Sequence, residues 1–576
     1  MQFANYIIVG GGLAGTALAV RLSEVPTLTV AVLEVGGDKF HDENFDTPDW
    51  AYFSSPQKHL GGHSMYLPRG KGIGGTGLLN FMEVNRASAT EYDDIGKLIG
   101  ETSKWSWDGL LPYFRKKYNM AFDAKYQGTS GPVQRTLPRW LDTIAMPWLE
   151  AVESYGIQHN ADPNDGDDRG TWISTKKIDS NSVRSSAASA YYEPNSLQPN
   201  LKIITGVHAT KVITSKEDLV TVTGVEFLQN GQLQTIQAKK EVILCCGSYN
   251  TPQILELSGI GDPAILKKHG IPVIIDLPAV GNNLEEHITA TYTAKLTPGH
   301  ETWESLRDPD FAEKQKEIYS FCQGLRLFQQ DHWGGMLSGL PSAFAFLTFK
   351  DFDSDGVIAN SVKTLDLPSE QPYNLQKEWV QNDKVPFLEI NAFDRFMPGT
   401  VTEPEPNSNY MSSSIILLHP FSRGSVHITS TDPLKAPVDL KILVTGYKIL
   451  QEVYKMGPLK DHIDSEVSPG KEIQTDEQLI EYTRKTLDST YHPMSTVRML
   501  PREAGGCVDA HLKVYGTKNL RVVDASIFPT AISAHPQATL YAIAEMAMTE
   551  ADLYMEFEPA RRNSRQSGIL IAQYIL

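Results

Sequence analysis

The hydrophobic and polar positions at the start of the chain form short apolar runs and one helical pattern. Residues 6–9 (Tyr-Ile-Ile-Val) form an apolar run typical of a buried strand, and an apolar helical pattern follows from Thr16 to Leu22. Thr29–Leu33 indicates a second strand, and Val242–Cys246 is a further continuous apolar run. This order predicts a βαβ unit that continues into a buried parallel sheet.

Strand-like alternation appears again at residues 201–213 and 219–227. These segments precede the apolar run Val242–Cys246, so we expect them to extend the same sheet.

A Gly-x-Gly-x-x-Gly string fills the turn between the first strand and the helix. Gly10 allows the tight turn, Gly12 lets a pyrophosphate approach the backbone, and Gly15 lets helix and strand pack closely. Glu34 ends the second strand, where a carboxylate can accept hydrogen bonds from ribose hydroxyls. Together these residues predict a dinucleotide site, although the motif does not separate FAD from NAD. The alternative is a glycine-rich turn that binds no ligand.

Length and charge narrow the class of protein. A chain of 576 residues predicts two or more domains. The net charge of −17 argues against nucleic acid or an anionic membrane as a partner. The four cysteines show neither metal-ligand spacing nor a disulfide framework, so we expect no metal site.

The sequence shows no targeting or membrane signal. It lacks a basic segment followed by an apolar one at the N-terminus, and it contains no Asn-x-Ser/Thr glycosylation acceptor. It also has no apolar run of about 18 or more residues. These features predict a cytoplasmic protein without a transmembrane helix.

Three later stretches carry a resemblance to a known family. They are Gly70–Asn80, which is dense in glycine, Gly247–Gly261 (GSYNTPQILELSGIG) and Val280–His287 (VGNNLEEH). The first two resemble the two signatures of the glucose–methanol–choline (GMC) oxidoreductases, and the third resembles another stretch of that family. The resemblance runs from residue 5 to about residue 555 and is closest to aryl-alcohol oxidase and choline dehydrogenase-like members.

The resemblance implies an α/β fold with two domains. A Rossmann-like FAD-binding domain is expected at residues 1–290, with a cofactor lid at about 40–100 and an excursion into the substrate domain at about 150–200. An α+β substrate domain built on an antiparallel sheet is expected at 291–480. Residues 481–558 would return to the FAD-binding domain, and residues 559–576 would form a tail.

The resemblance also implies a catalytic pair, His492 and His535, each of which begins a His-Pro dipeptide. A lone histidine is more often structural than catalytic, but both positions match the family's catalytic positions. Oxidation of an alcohol transfers a hydride to the flavin and a proton to a base, and histidine suits the second task near neutral pH. His492 is therefore the expected base, and His535 is expected to orient the substrate oxygen.

The flavin contacts follow from the same resemblance. Leu13, Ala14 and Glu34 would hold the ADP part, and Val212 would meet the adenine through its backbone. The remaining contacts would run along the ribityl chain and isoalloxazine or close the site: Thr76, Asn80, Phe81, Met82, Glu83, Asp524, Ala525, Pro536 and Gln537. Some relatives attach FAD through a histidine where this chain has Leu79, so we expect non-covalent FAD. Ser495 stands where the family has glycine.

The expected activity is FAD-dependent oxidation of a primary or secondary alcohol, aromatic or hydrophobic, with O2 or another electron acceptor. Tyr491, Phe393, Phe396 and Trp333 are candidates for an aromatic substrate wall, although such side chains more often fill a core. The alternative is a relative that keeps FAD without net redox chemistry, such as a lyase or a cyclase of secondary metabolism. The chain also lacks an extended piece that relatives have near residue 438, and its loss is expected to open or misshape the substrate domain.

Overall fold

A computed structural model describes residues 2–38, 49–57, 60, 62, 64–120, 126–138, 140–216, 219–324, 336, 343–397, 403–428 and 437–550. Trp333, the tail at 559–576 and most of the shortened segment before residue 438 lie outside these ranges. Within them, the structure contains no helix with the length and apolar character needed to span a bilayer.

The strands are, in chain order, β1 (Phe3–Val9), β2 (Val30–Leu33), β3 (Tyr52–Phe53), β4 (Tyr66–Leu67), β5 (Tyr118–Met120), β6 (Val133–Arg135), β7 (Gly170–Ile173), β8 (Leu201–Ile204), β9 (Val207–Lys216), β10 (Val220–Gln229), β11 (Gln232–Leu244), β12 (Ile260–Gly261), β13 (Ile275–Asp276), β14 (Asn282–Leu284), β15 (Ile288–Leu296), β16 (Ala343–Leu347), β17 (Leu388–Phe393), β18 (Tyr410–Leu417), β19 (Gly424–Ser425), β20 (Ile463–Ser468), β21 (Asp488–Ser489) and β22 (Leu520–Val522).

The α-helices are α1 (Leu13–Ser23), α2 (Ala89–Ile99), α3 (Thr102–Trp105), α4 (Trp107–Lys117), α5 (Ala145–Tyr155), α6 (Glu193–Asn195), α7 (Gly247–Leu257), α8 (Pro263–Lys268), α9 (Pro309–Gly324), α10 (Phe349–Phe352), α11 (Val357–Lys363), α12 (Gln371–Trp379), α13 (Pro437–Val453), α14 (Asp476–Thr486) and α15 (Gln537–Glu550).

The first large sheet has the strand order β8-β2-β1-β11-β10-β9, and β22 also pairs with β11. β8, β2, β1, β22 and the C-terminal part of β11 run parallel. Every residue of β2 and β22 is buried, as is typical of the central strands of a parallel sheet. β10 and β9 continue the sheet in antiparallel pairing. The alternating segment predicted at 201–213 is two strands, since Gly206 (φ +68°) turns the chain between β8 and β9.

The second large sheet is antiparallel, with the order β20-β15-β18-β17-β16-β7, and β21 pairs with β15. Every residue of β17 and β18 is buried. Helix α13 packs against this sheet and contacts β18. β7 comes from much earlier in the chain than its neighbours, so the chain visits the second sheet before the first one is complete.

The last described helix closes the fold on the first one. α15 packs against α1, and Arg21 Nε lies 2.8 Å from Glu545 Oε1, whose side chain is fully buried. β22 lies beside β11, which itself pairs with β1. The first and last described parts of the chain therefore share one core.

The elements on either side of the shortened segment are formed. Asp439, in the first turn of α13, accepts hydrogen bonds from the backbone N–H groups of Phe421 and Ser422, both at 3.0 Å. These bonds fix the start of α13 to the chain that follows β18.

Candidate active site

The turn before α1 contains glycines that are tightly packed against the backbone and one glycine that faces open space. A Cβ on Gly10 would lie 2.4 Å from the carbonyl oxygen of Cys245, and one on Gly15 would lie 2.0 Å from that of Gly10. A Cβ on Gly12 would meet nothing closer than 4.0 Å. Gly12 is also the N-cap of α1, and no side chain caps this helix end. The turn therefore offers free space and unpaired N–H groups, as a pyrophosphate requires.

A cavity of about 760 Å³ opens at this turn. It lies at the carboxyl ends of β1, β2, β11 and β22, where doubly wound sheets bind their ligands. The predicted residues that line it are Gly10, Gly12, Leu13, Ala14, Glu34, Thr76, Asn80, Phe81, Glu83, His492, Asp524, Ala525, His535, Pro536 and Gln537. Gly15, Met82 and Val212 lie outside its lining.

The backbone N–H of Val212 is already used within the chain, because it donates to Ser258 Oγ at 2.9 Å. The start of the same strand lines the cavity instead, through Val207, His208 and Ala209. Val207 N–H donates to the carbonyl of Glu34 at 3.1 Å, which brings this strand end beside the predicted ribose carboxylate. A backbone contact to adenine is better placed at Val207–Ala209 than at Val212.

Glu34 presents a buried carboxylate at the end of β2. It accepts hydrogen bonds from the N–H groups of Gly11 (2.7 Å) and Gly36 (2.8 Å), and burial raises its pKa against the opposing effect of these bonds. Its place in the cavity wall suits an acceptor for ribose hydroxyls.

The second glycine-rich segment packs directly on the first. A Cβ on Gly75 would lie 2.7 Å from Gly12 Cα, so the two segments form one wall of the cavity. Asn80 Nδ2 donates to Gln537 Oε1 at 3.0 Å, and Gln537 Nε2 donates to the carbonyl of Glu83. These bonds join the segment after Gly75 to the start of α15.

Asp524 is held by hydrogen bonds from other parts of the site. Its Oδ2 accepts from Gly247 N–H at 2.9 Å and from Thr251 Oγ1 at 2.6 Å, and burial raises its pKa. The carboxylate thereby fixes the start of α7, which carries the second family signature, against the end of β22.

The two predicted catalytic histidines face each other in the cavity wall. The ring centroids of His492 and His535 lie 4.6 Å apart. His535 Nε2 lies 3.2 Å from both carboxylate oxygens of Glu389, and His492 Nδ1 lies 3.0 Å from Nδ1 of His287. Each catalytic ring therefore has a buried partner of a different chemical type.

Burial lowers the pKa of both rings in the His492–His287 pair. For His492 the pKa falls well below its ordinary value, first through loss of solvent and then through the neighbouring His535 and His287. For His287 the same loss of solvent lowers the pKa to about 3. Both rings are neutral at neutral pH, which is the state that a general base requires.

The second sheet covers the other side of the cavity. Side chains at alternate positions of β15, β17 and β18 line it, together with one from β16: Thr289, Thr291, Asn391, Phe393, Ser414, Ile416 and Phe344. Of the aromatic candidates, Tyr491, Phe393 and Phe396 line the cavity. This side of the cavity thus combines aromatic and aliphatic side chains with hydroxyl and amide groups.

Sequence reasoning did not assign His287, Glu389 or Arg395 to the site. His287 ends the third family-like stretch and therefore carried a signal. Glu389 lies in the strand Leu388–Phe393 with a second polar residue, Asn391, so its acidic side chain gave no signal of a site. Arg395 follows that strand closely and had no signal of its own.

Comparison with known proteins identifies the family to which the chain belongs. The model for the N-terminal part of GMC oxidoreductases matches residues 4–289, and the model for the C-terminal part matches residues 420–544. A GMC oxidoreductase family protein of Malassezia sympodialis, Mala s 12, is 34% identical, covering 94% of this chain and 91% of its own length.

Two solved structures share the fold over nearly the whole chain. An FAD-dependent oxidoreductase from Chaetomium thermophilum superposes with a TM-score of 0.85 at 26% identity, covering 96% of this chain and 100% of that one. A fungal aryl-alcohol oxidase superposes with a TM-score of 0.83 at 25% identity, covering 96% and 99%. The predicted fold class and family resemblance are confirmed, and the chain belongs to the GMC oxidoreductase family of FAD-dependent enzymes that act on alcohol-type substrates.

Proposed function

We propose that the protein oxidises a primary or secondary alcohol with an aromatic or hydrophobic body to the corresponding carbonyl compound. The observation that carries this proposal is the neutral His492–His287 pair beside the His535–Glu389 pair, in the wall of the cavity that Gly12 opens on. The aromatic side chains of Phe344, Phe393 and Phe396 in the cavity wall support a hydrophobic substrate body.

Nδ1 of His287 lies 3.0 Å from Nδ1 of His492, so one of the two rings donates and the other accepts. Backbone carbonyls of Ile532 and Leu418 also favour a proton on His287. In the proposed mechanism His492 Nδ1–H donates to Nδ1 of His287, which carries its own proton on Nε2. This leaves Nε2 of His492 unprotonated and available to take the hydroxyl proton of the substrate.

His535 is suited to a different task. Its Nε2–H donates to the carboxylate of Glu389, which is fully buried, and this bond orients the ring. Nδ1 is then the ring nitrogen left to contact the substrate oxygen as the hydroxyl proton leaves.

FAD, when bound, would supply the hydride acceptor. The alcohol would lose a hydride from its carbon and its O–H proton to His492, leaving the carbonyl product. The residues around Gly12, Glu34, Gln537 and Asp524 would hold the cofactor from both ends of the chain. Leu79 lines the cavity and offers no nucleophile, which supports non-covalent binding.

The test is anaerobic stopped-flow reduction of the flavin by a panel of aromatic and aliphatic alcohols. We expect loss of oxidised-flavin absorbance with at least one hydrophobic alcohol. His492→Ala should slow that reduction by about 10²–10⁴-fold while the flavin content stays normal, because a positioned base contributes about that much.

Two results would count against this function. Turnover of an alcohol or its derivative without loss of flavin absorbance would favour the lyase or cyclase alternative. A His492→Ala holoenzyme that reduces its flavin at the wild-type rate would remove the base from the mechanism.

A further inference from the structure

Arg395 places a positive charge in the substrate-facing wall of the cavity. It follows β17, the strand that carries Glu389, Asn391 and Phe393, and the chain bends at Arg395. The catalytic mechanism proposed above does not use it.

Three aromatic rings surround the guanidinium group. Its central carbon lies 5.3 Å from the ring centroid of Trp303 and 5.5 Å from those of Phe81 and Phe393. Stacking on aromatic faces orients the planar group while leaving the donors at its edge free.

No carboxylate pairs with Arg395 in the described parts of the chain. Its Nε donates only to the thioether sulfur of Met397, at 3.2 Å, and its terminal nitrogens make no hydrogen bond there. The nearest acids are committed elsewhere: Glu304 accepts from Phe396 N–H and Thr302 Oγ1, and burial raises the pKa of Asp394 well above its ordinary value. A partly buried cation with free donors in a ligand cavity is typical of a site for a carboxylate.

The strand sets the distance from this charge to the catalytic pair. Glu389, which contacts His535, precedes Phe393 by four residues, or about 13 Å of extended strand. Because the Arg395 guanidinium lies 5.5 Å from the Phe393 ring, the charge and the catalytic pair are separated along the strand by a length of this order.

We propose that the oxidised alcohol is an elongated hydrophobic acid, whose carboxylate binds Arg395 while its hydroxymethyl group lies at His492. This inference rests on the proposed function and names the substrate class of the same site. A carboxylate held by the rigid fork of an arginine would align the apolar body of the substrate along Phe81 and Phe393, which line the cavity.

Binding of compounds that cannot be oxidised tests the carboxylate site separately from the chemistry. Calorimetry on the holoenzyme should show biphenyl-4-carboxylate binding about 10- to 100-fold more tightly than biphenyl-4-carboxamide, the range expected for hydrogen bonds to a charged group. Arg395→Met, which keeps the apolar stem, should remove this preference without weakening the amide. Arg395→Lys should restore part of it.

Turnover tests the orientation of the substrate. In 4′-(hydroxymethyl)biphenyl-4-carboxylate the two functional groups stand at opposite ends of an elongated apolar body, and its methyl ester is the matched neutral alcohol. Arg395→Met should raise KM for the acid and leave kcat nearly unchanged, because the charge contact is made equally in ground and transition states. Arg307→Met, an exposed residue nearby, is the control for the change in net charge.

Equal binding of the acid and the amide by the wild type would overturn the inference. So would an Arg395→Met variant that weakens both to the same extent, since that result indicates collapse of the wall. Failure of every alcohol to reduce the flavin, with tight Arg395-dependent binding of the acid, would instead refute the proposed oxidation and leave the carboxylate site standing.

Discussion

At the scale of single residues, the neutral His492–His287 pair predicts how the rate depends on pH. Burial lowers the pKa of both rings, to about 3 for His287, so neither gains a proton near neutrality. The rate of flavin reduction should therefore be flat between about pH 6.5 and 8, and should fall only at lower pH through an apparent pKa that belongs to the pair. Stopped-flow reduction across this range measures it, and an inflection near pH 7 would contradict the neutral pair.

The same two histidines also make the stability of the protein fall as the pH is lowered. The unfolded chain binds a proton at each histidine below its ordinary pKa of about 6.5, whereas native His287 resists protonation down to about 3. Their contribution is intact above about pH 6.5 and is lost progressively as the pH falls towards 3. Thermal melting of the holoenzyme in this window should show the loss, and His287→Phe should weaken it.

The backbone conformation of Ser495 lowers the stability of the protein, and a single substitution can remove this effect. Its φ of +75° is unfavourable for any residue with a Cβ, and its buried Oγ lacks a hydrogen-bond partner among the described residues. Ser495→Gly should raise the free energy of unfolding by about 1 kcal/mol, which for a chain of this length corresponds to roughly 1 °C in melting temperature.

Ser495→Ala is the matched control, because it removes the hydroxyl but keeps the backbone strain. It should melt below Ser495→Gly. If the glycine variant is less stable than the wild type, the hydroxyl has a partner that outweighs the strain.

At the scale of elements, the turn into α1 predicts opposite outcomes for two glycines. A Cβ at Gly12 meets no atom within 4.0 Å, and its φ of −71° suits any residue, so Gly12→Ala should fold. It should nevertheless lose most of its FAD, because the methyl group occupies the space for the pyrophosphate. Gly15→Ala should fail to fold, because its Cβ would lie 2.0 Å from the carbonyl oxygen of Gly10.

Flavin content and circular dichroism of the two purified variants separate the effects. A Gly12→Ala protein with a full flavin complement would show that the pyrophosphate does not approach this residue.

The elements around this turn could be predicted because the residues that determine them are adjacent in the sequence. The apolar run at residues 6–9, the glycine string and Glu34 are contiguous with the strands and helix that they form, and the structure places them in one cavity. The predicted adenine contact at Val212 could not be refined in the same way, since strand periodicity does not reveal which end of β9 reaches the cavity. Val207–Ala209 do so because β9 begins beside Glu34.

Partners from distant segments could not be predicted at all. Glu389 meets His535, and Arg395 meets Phe81, only because β17 is placed over the first sheet. Their sequence neighbours are ordinary strand residues, so the contact depends on how the two sheets pack. His287 was within a recognised stretch, but its role follows from the 3.0 Å contact with His492 rather than from its position in the sequence.

At the scale of the whole molecule, the non-covalent binding of FAD that we propose rests on Leu79, which lines the cavity at the position where some relatives carry the linking histidine. Trichloroacetic acid should therefore unfold the protein and release the flavin into the supernatant. The absorbance of supernatant and pellet measures this, and flavin retained in the pellet after washing would show a covalent bond.

The closure of α15 on α1 also fixes when the cofactor site can exist in a growing chain. Its wall needs Gly10–Glu34 from one end and Asp524–Leu540 from the other, joined by β22 beside β11 and by Arg21 with Glu545. At about 5–20 residues per second, a ribosome takes roughly half a minute to two minutes to reach the later segment. During that interval the nascent chain has no flavin bound, and the apolar faces of β1 and β2 are not yet covered by the elements that follow later in the chain. Loading of the cofactor consequently requires that α15 has been synthesised, and a premature stop before α15 should yield a chain that does not bind FAD.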